Sequence, residues 1–334
     1  MCKQIIEFKN KPSIISYAAV GSVYEKEGPI GGLFDYIFDD PLAGKKSWEQ
    51  AESEFQKTAL DIAIKKSKIS EQEIDLLFAG DLLNQCTGST FGLMKFNIPF
   101  VGVYGACSTM ALSLIMAALC VDGGFAQNTA AVTSSHFCSA ERQYRFPLEY
   151  AGQRPPTAQK TATASGAVIV SKGLGNVYIK SALLGKILDY EVSDANNMGA
   201  AMAPAAADTI LDYFKASGNK PSDYDKIFTG DLGEVGSELL LDICSNEGVN
   251  ISLIHQDCGL LLYDIINQNV DSGASGCGCS ASVLCTHILN KLSQREYKKV
   301  LFCATGALLS PTTTQQGKNI PAIAHLVEIC SNAS

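Results

Sequence analysis

From Phe96 to Val121 the chain carries no charged side chain. An uncharged stretch of that length belongs either in a bilayer or in the interior of a large domain. Pro99, Gly102 and Gly105 interrupt its first part, so a spanning helix is disfavoured. The stretch reads instead as a buried strand, Phe100 to Tyr104, then a turn, then a buried helix, Thr109 to Val121. Cys107 stands at that turn. The free N–H groups of the helix's first turn and the positive end of its dipole favour a thiolate over a thiol there. The plainer reading is a structural cysteine packed as a small hydrophobe, the commoner fate of the type.

A duplication sets the rest of the architecture. Ile74 to Leu82 and Tyr224 to Leu232 are both apolar strands closed by Gly-Asp-Leu, at Gly80-Asp81-Leu82 and Gly230-Asp231-Leu232. Further along, Gly276-Cys277-Gly278-Cys279-Ser280 precedes an apolar helix running to Leu292, as Gly105-Ala106-Cys107-Ser108 precedes its own. Two similar halves are therefore expected, residues 1–175 and 176–334, with the two cysteine turns facing each other across a pseudo-twofold. Strands are expected at Ile14–Val20, Thr129–Ser135, Gly166–Ser171, Val177–Leu183, Lys299–Thr305 and Ala322–Ile329. Helices are expected from Ser47 to Lys68 and from Ala200 to Phe214, the second interrupted early by Pro204. Buried strands alternating with helices give an α/β protein with two mixed sheets around a central helical layer.

Charge and cysteine usage narrow the function. The net charge of -8 over 334 residues offers no general basic surface, so nucleic acid is not expected as a partner. The 12 cysteines are spread through apolar segments, which suits a reducing compartment rather than a disulfide scaffold. Cys277-Gly278-Cys279 has no second pair or histidine at ligand spacing and reads as a structural turn. Met1-Cys2-Lys3-Gln4 shows neither the apolar stretch nor the cleavage site of a secretory leader, so neither a signal peptide nor a transmembrane helix is expected. Residues 141–160 hold Arg142, Arg145, Arg154 and Lys160 among Pro147, Pro155 and Pro156. That rigid, locally basic excursion is either a solvated loop or a lining for an anionic ligand.

Several segments together resemble one family. Gly80-Asp81-Leu82-Leu83-Asn84, Phe100 to Thr109, Val121 to Phe125, Thr133-Ser134-Ser135-His136, Met202 to Thr209 and Ala304 to Pro311 resemble the stage V sporulation protein AD family, within the thiolase and ketoacyl-synthase superfamily. The resemblance implies a thiolase-like fold, two βαβαβ-type halves forming a five-layered αβαβα sandwich. It also implies binding of dipicolinic acid, pyridine-2,6-dicarboxylate, and help in loading it into the developing spore with other stage V sporulation A proteins at the membrane. The implied location is the developing spore and spore, peripheral to the inner spore membrane, and the superfamily suggests a homodimer through the sheet edge of the first half.

The departures from the superfamily's enzymes are equally informative. Condensing enzymes pair the cysteine with a histidine in a loop that corresponds here to Asp231-Leu232-Gly233, and thiolases place one in a turn that corresponds to Gly278-Cys279-Ser280. Neither position holds histidine. A binding protein without catalytic residues is the expectation, and an acyltransferase or condensing enzyme with Cys107 as nucleophile is the alternative. A flat dicarboxylate calls for N–H groups, hydroxyls and a cation in an apolar slot. The candidate contacts are Cys107 and Ser108 at one helix start, Cys279 and Ser280 at the other, Asp81 and Asn84 past the first Gly-Asp-Leu strand, Asp231 past the second, and His136 at the pocket rim. Asp81 and Asp231 would repel a dianion unless protonated, turned away or bridged by a cation such as calcium, and they serve equally as turn caps. No residue pattern calls for a metal or a cofactor.

Overall fold

The computed structural model describes residues 5–144, 154–173 and 175–332. In the first half the strands are β1 (Ile6–Glu7), β2 (Pro12–Ser22), β3 (Tyr36–Phe38), β4 (Leu76–Gly80), β5 (Phe100–Gly102), β6 (Asn128–Ser135), β7 (Lys160–Thr161) and β8 (Ala164–Lys172). The helices among them are α1 (Val23–Lys26), α2 (Trp48–Ser67), α3 (Thr87–Leu93), α4 (Thr109–Asp122) and α5 (Phe137–Tyr144). The second half contributes β9 (Val177–Leu183), β10 (Lys226–Thr229), β11 (His255–Asp257), β12 (Ala274–Ser275), β13 (Lys299–Ala307) and β14 (Ala322–Ser331). Its helices are α6 (Met198–Ser217), α7 (Gly233–Asn246), α8 (Cys258–Leu262), α9 (Cys277–Val283), α10 (Leu289–Ser293) and α11 (Pro311–Gln315).

The strand order is β11-β10-β13-β14-β9-β2-β8-β6-β4-β5. Its two ends read alike: β2, β4, β5, β6 and β8 on one side take the same places as β9, β10, β11, β13 and β14 on the other. The expected pair of mixed sheets is continuous at one point, where Ser13 and Ile14 of β2 pair with Tyr178 and Val177 of β9. Three apolar cores separate the layers. Phe55, Leu60 and Ala63 of α2 pack with β4, β6 and β8 in one outer layer, and Ile210 and Phe214 of α6 pack with β10, β13 and β14 in the other. The central core holds α4 and the α9–α10 region against the inner faces of both sheets. Helix α4 is almost wholly apolar, with Met110, Leu114, Ile115, Ala118 and Val121 fully buried and a stripe of Leu112, Met116, Leu119 and Cys120 only partly covered.

Three local expectations change. The segment before Cys107 is an edge strand rather than a buried one: β5 spans only Phe100–Gly102 and, among the described strands, pairs with β4 alone, leaving Phe100 and Val101 exposed. The helix expected to run to Leu292 is broken by a π turn over Leu284–Ile288. By contrast, α6 runs unbroken past Pro204, since a proline removes only one hydrogen bond where packing against β13 and β14 holds the rest.

Candidate functional site

Cys107 is held by a strained turn. Ala106, a residue with a Cβ, adopts φ 51°, in the left-handed region that disfavours side chains. The turn is tied by its own hydroxyls: Ser108 Oγ donates to the Gly105 carbonyl at 2.6 Å, and Thr109 Oγ1 donates to the Ala106 carbonyl at 2.5 Å. Strand β13 presses against it, and at Gly306 a Cβ would stand 2.2 Å from the Gly105 oxygen. Only glycine permits that approach.

The sulfur faces the second half. Cys107 Sγ lies 3.9 Å from Ser275 Oγ, and Ser275 Oγ donates to Asp231 Oδ2 at 2.9 Å. The same carboxylate accepts from the Gly276 N–H at 2.8 Å and from Thr305 Oγ1 at 2.9 Å. Burial raises the Asp231 carboxyl to about 6 despite these donors. Burial first, and then the Asp231 charge, push the Cys107 thiol well above its ordinary value. The thiolate expected from the helix start is therefore overruled. A dipole end contributes a fraction of a charge, whereas full desolvation beside a carboxylate opposes the anion directly.

Cys107, at 5% exposure, lines a cavity of about 90 Å³ together with Ser275, Tyr144, Arg154, Gln159 and Met198. By the roughly 10–15 Å³ that one water needs, the space suits several waters or one small ring. Leu82, Ala140, Ala158, Ala307 and Leu309 make much of the remaining wall apolar. Among the described residues Arg154 and Glu141 are the charged members of the lining, and they pair with each other, while Arg154 Nη1 donates to the Gln159 carbonyl at 2.8 Å. The parallel pair β7–β12, with Thr161 opposite Ser275, brings the Arg154 segment to this place. Helix α6 starts beside it, its first turn capped by Asn197, which accepts from the Ala200 N–H at 3.2 Å.

The candidate residues from the sequence separate accordingly. Cys107 lines the cavity and Asp231 lies one hydroxyl behind it. Ser108 is consumed in the turn. The two cysteine turns do face each other, but they touch: Ser280 Oγ donates to the Cys107 carbonyl at 3.4 Å, and both Ser280 and Cys279 are fully buried, so no ligand space lies between them. Asp81 is turned away. It accepts from the Leu83 N–H at 2.9 Å and from the Ser89 N–H and hydroxyl at 2.7 and 2.6 Å, capping α3. Asn84 is exposed on the outer side, its N–H donating to Gln143 Oε1 at 3.1 Å. His136 is buried rather than at a rim. Its Nε2 lies 2.9 Å from the Pro41 carbonyl, which can only accept, so Nδ1 is the bare nitrogen that takes the Cys138 N–H at 3.2 Å. Burial lowers its pKa, and the ring is neutral.

No histidine hydrogen-bonds Cys107 among the described residues. His255 bonds Thr229 Oγ1 at 2.8 Å, His325 accepts from the Gly185 N–H at 3.3 Å, and burial lowers both to about 4. Among the described residues no group of three or more His, Cys, Asp or Glu is arranged to hold a metal ion, and no helix is long and apolar enough to cross a membrane.

Sequence reasoning missed Ser275, Tyr144, Gln159 and Met198, and it flagged Arg154 only as part of the basic excursion. Residues 145–153 of that excursion, including Arg145 and Pro147, lie outside the described residues. Ser275 did leave a signal. It stands two residues before α9 as Cys107 stands two before α4, whereas matching cysteine to cysteine selected Cys279.

Comparison with known proteins agrees with this frame. The structure is similar over its length to 3-oxoacyl-[acyl-carrier-protein] synthase III from Aquifex aeolicus VF5, with a TM-score of 0.59 and 11% identity, covering 96% of this chain and 99% of that one. It is likewise similar to a variant of OleA from Xanthomonas campestris, with a TM-score of 0.62 and 14% identity over 97% of this chain and 99% of that one. These likenesses establish the thiolase-like fold. In sequence the chain is 45% identical over 323 residues to stage V sporulation protein AD of Bacillus subtilis (strain 168), covering 97% of this chain and 95% of the relative. With the family model for stage V sporulation protein AD matching residues 2–330 as well, the chain belongs to the stage V sporulation protein AD family.

Proposed function

We propose that this chain is a non-enzymatic sporulation protein that binds dipicolinic acid in the Cys107 cavity and supports its uptake into the developing spore. The observation that carries the binding role is the lining itself. A guanidinium, Arg154, stands at one side, the starts of α4 and α6 supply a positive dipole end at the others, and apolar side chains form a slot of ring size. A planar dicarboxylate would direct one carboxylate to Arg154 and lay its ring along Leu82, Ala158 and Leu309. Cys107 supports the non-enzymatic part, because its thiol is held protonated by burial and by the Asp231 charge, and no histidine hydrogen-bonds it among the described residues.

On this reading the partners are other stage V sporulation A proteins, and the place is the inner spore membrane of the developing spore and spore, with the chain peripheral to it. No cofactor takes part, and calcium would enter only with the ligand. A second copy would pair along the open edge of β5, where Phe100 and Val101 are exposed. Calorimetric titration of the full chain with dipicolinate tests the proposal. Saturable binding that Arg154→Gln weakens supports it, and absence of binding overturns it. The alternative, acyl transfer by Cys107, predicts a mass increase at that residue on incubation with an acyl-coenzyme A.

A further inference from the structure

Helix α6 connects the Cys107 cavity to a second, larger one. Met198 at its start lines the first, and Ser217 at its end lines a cavity of about 310 Å³. At 1.5 Å per residue the helix puts roughly 30 Å between them. The second cavity lies between the N-terminal segment, β9 and the end of α6, and the Cys107 reading assigns it nothing.

Its floor is a buried ion cluster. Glu328, at 1% exposure, sits at a β-bulge where the β14–β9 register shifts between Glu328 and Ile329. Bulges of this kind re-aim a side chain. One of its carboxylate oxygens accepts from Ser181 Oγ at 2.7 Å and Tyr213 OH at 2.8 Å, and the other meets Lys180 Nζ at 3.3 Å and Lys299 Nζ at 3.2 Å. Burial works against the anion, yet the two hydroxyls and two ammonium groups outweigh it and hold the carboxyl below its ordinary value. One negative charge is thus shared by two positive ones. At the rim stand Lys9 and Lys11, both exposed, with Lys11 Nζ 5.2 Å from the Tyr178 ring centroid, and Glu7 joins Glu328 as the second acidic side chain of the lining, against the three lysines Lys9, Lys11 and Lys180. A chain of net charge -8 therefore keeps an excess of lysine around one cavity.

We propose that this cavity binds a phosphate-bearing ligand through the ammonium groups of Lys9, Lys11 and Lys180. Lysine acts on phosphate as a point charge, and three such charges around one space suit a compact polyanion better than a planar monocarboxylate. Ser217 and Asn219 add neutral hydrogen-bonding groups to the wall. The phosphate could be free or the headgroup of a lipid, and the two sources are separable by experiment.

The test is calorimetric titration of the full chain with inorganic pyrophosphate at matched low salt. Saturable binding is expected, with a loss of tenfold or more in the Lys9→Ala/Lys11→Ala double variant and in Lys180→Met, and no change in Cys107→Ala. The double variant changes exposed residues only, so its result does not depend on the Glu328 cluster surviving. Co-sedimentation with phosphatidylcholine vesicles that requires added phosphatidylglycerol and is competed by pyrophosphate would assign the phosphate to a lipid, and pyrophosphate binding without it would assign a free anion. No saturable heat, or equal affinity in the double variant and the unaltered chain, overturns the proposal. Because the Cys107 variants leave this cavity intact, failure here and failure of dipicolinate binding are independent results.

Discussion

Ser275 Oγ stands 3.9 Å from Cys107 Sγ, each residue two positions ahead of a helix in its own half of the duplicated fold. The pair marks where the two halves meet at the cavity, and what the cysteine faces is a hydroxyl with the Asp231 carboxylate behind it, not a histidine.

Arg154→Gln should weaken dipicolinate binding by about tenfold or more, equivalent to roughly 1.4 kcal/mol, because it removes the cationic member of the cavity lining. Ser280→Ala should leave the affinity within about twofold, since Ser280 is buried behind the Cys107 carbonyl and away from the cavity. Titration of both folded variants with dipicolinate checks the contrast. A larger loss in Ser280→Ala than in Arg154→Gln would return the ligand to the space between the helix starts.

Cys107 should alkylate slowly at neutral pH and faster as the pH rises, and Asp231→Asn should speed it, because that change removes the charge that opposes the thiolate. Mass spectrometry of the Cys107 peptide after timed iodoacetamide treatment follows the rate. A rate in Asp231→Asn no higher than in the unaltered chain would count against the assignment.

Ser275→Ala should destabilise the fold by about 1–3 kcal/mol, as one donor to the buried Asp231 carboxylate disappears. Chemical denaturation measures this directly, and an unchanged midpoint would show that Thr305 and the Gly276 N–H suffice for that carboxylate.

Glu52 gives stability a pH dependence of definite sign. It is fully buried near Asp81, accepts from Ser134 Oγ at 3.0 Å and Ser139 Oγ at 2.8 Å, and burial, with Asp81 second, raises it to about 8. A carboxyl whose folded pKa lies above its unfolded one contributes stability below the unfolded value and loses it as the pH rises to the folded value. Stability should therefore fall between about pH 4.5 and 8, and Glu52→Gln should flatten that slope. Denaturation midpoints across this range in both proteins are the check, and parallel slopes would show that Glu52 is not the titrating group.

Val101→Lys should separate a β5-paired dimer into monomers without unfolding it, because Val101 is exposed on an edge that no described strand covers. Light scattering after gel filtration reads the mass, and an unaltered chain that is already monomeric would remove the edge pairing.

Some of this protein was legible in its residues alone. The two Gly-Asp-Leu strand ends announced a duplication, and the uncharged run around Cys107 announced a strand, a turn and a helix, because both are local patterns that burial imposes on neighbouring residues. The six motif segments, which fall in both halves between Gly80 and Pro311, led to the family. Tertiary structure decided what depends on distant neighbours. Whether Phe100 and Val101 are covered depends on which strand lies beyond them, and none of the described strands does. Whether a helix start yields a thiolate depends on the solvent and charge around it, and at Cys107 desolvation and Asp231 outweigh the dipole. The counterpart of Cys107 is set by position in the repeated fold rather than by residue type, which is why Ser275 and not Cys279 faces it. Arg154 reaches the cavity only because β7 pairs with β12 across the two halves, a contact between segments far apart in sequence that no local pattern encodes.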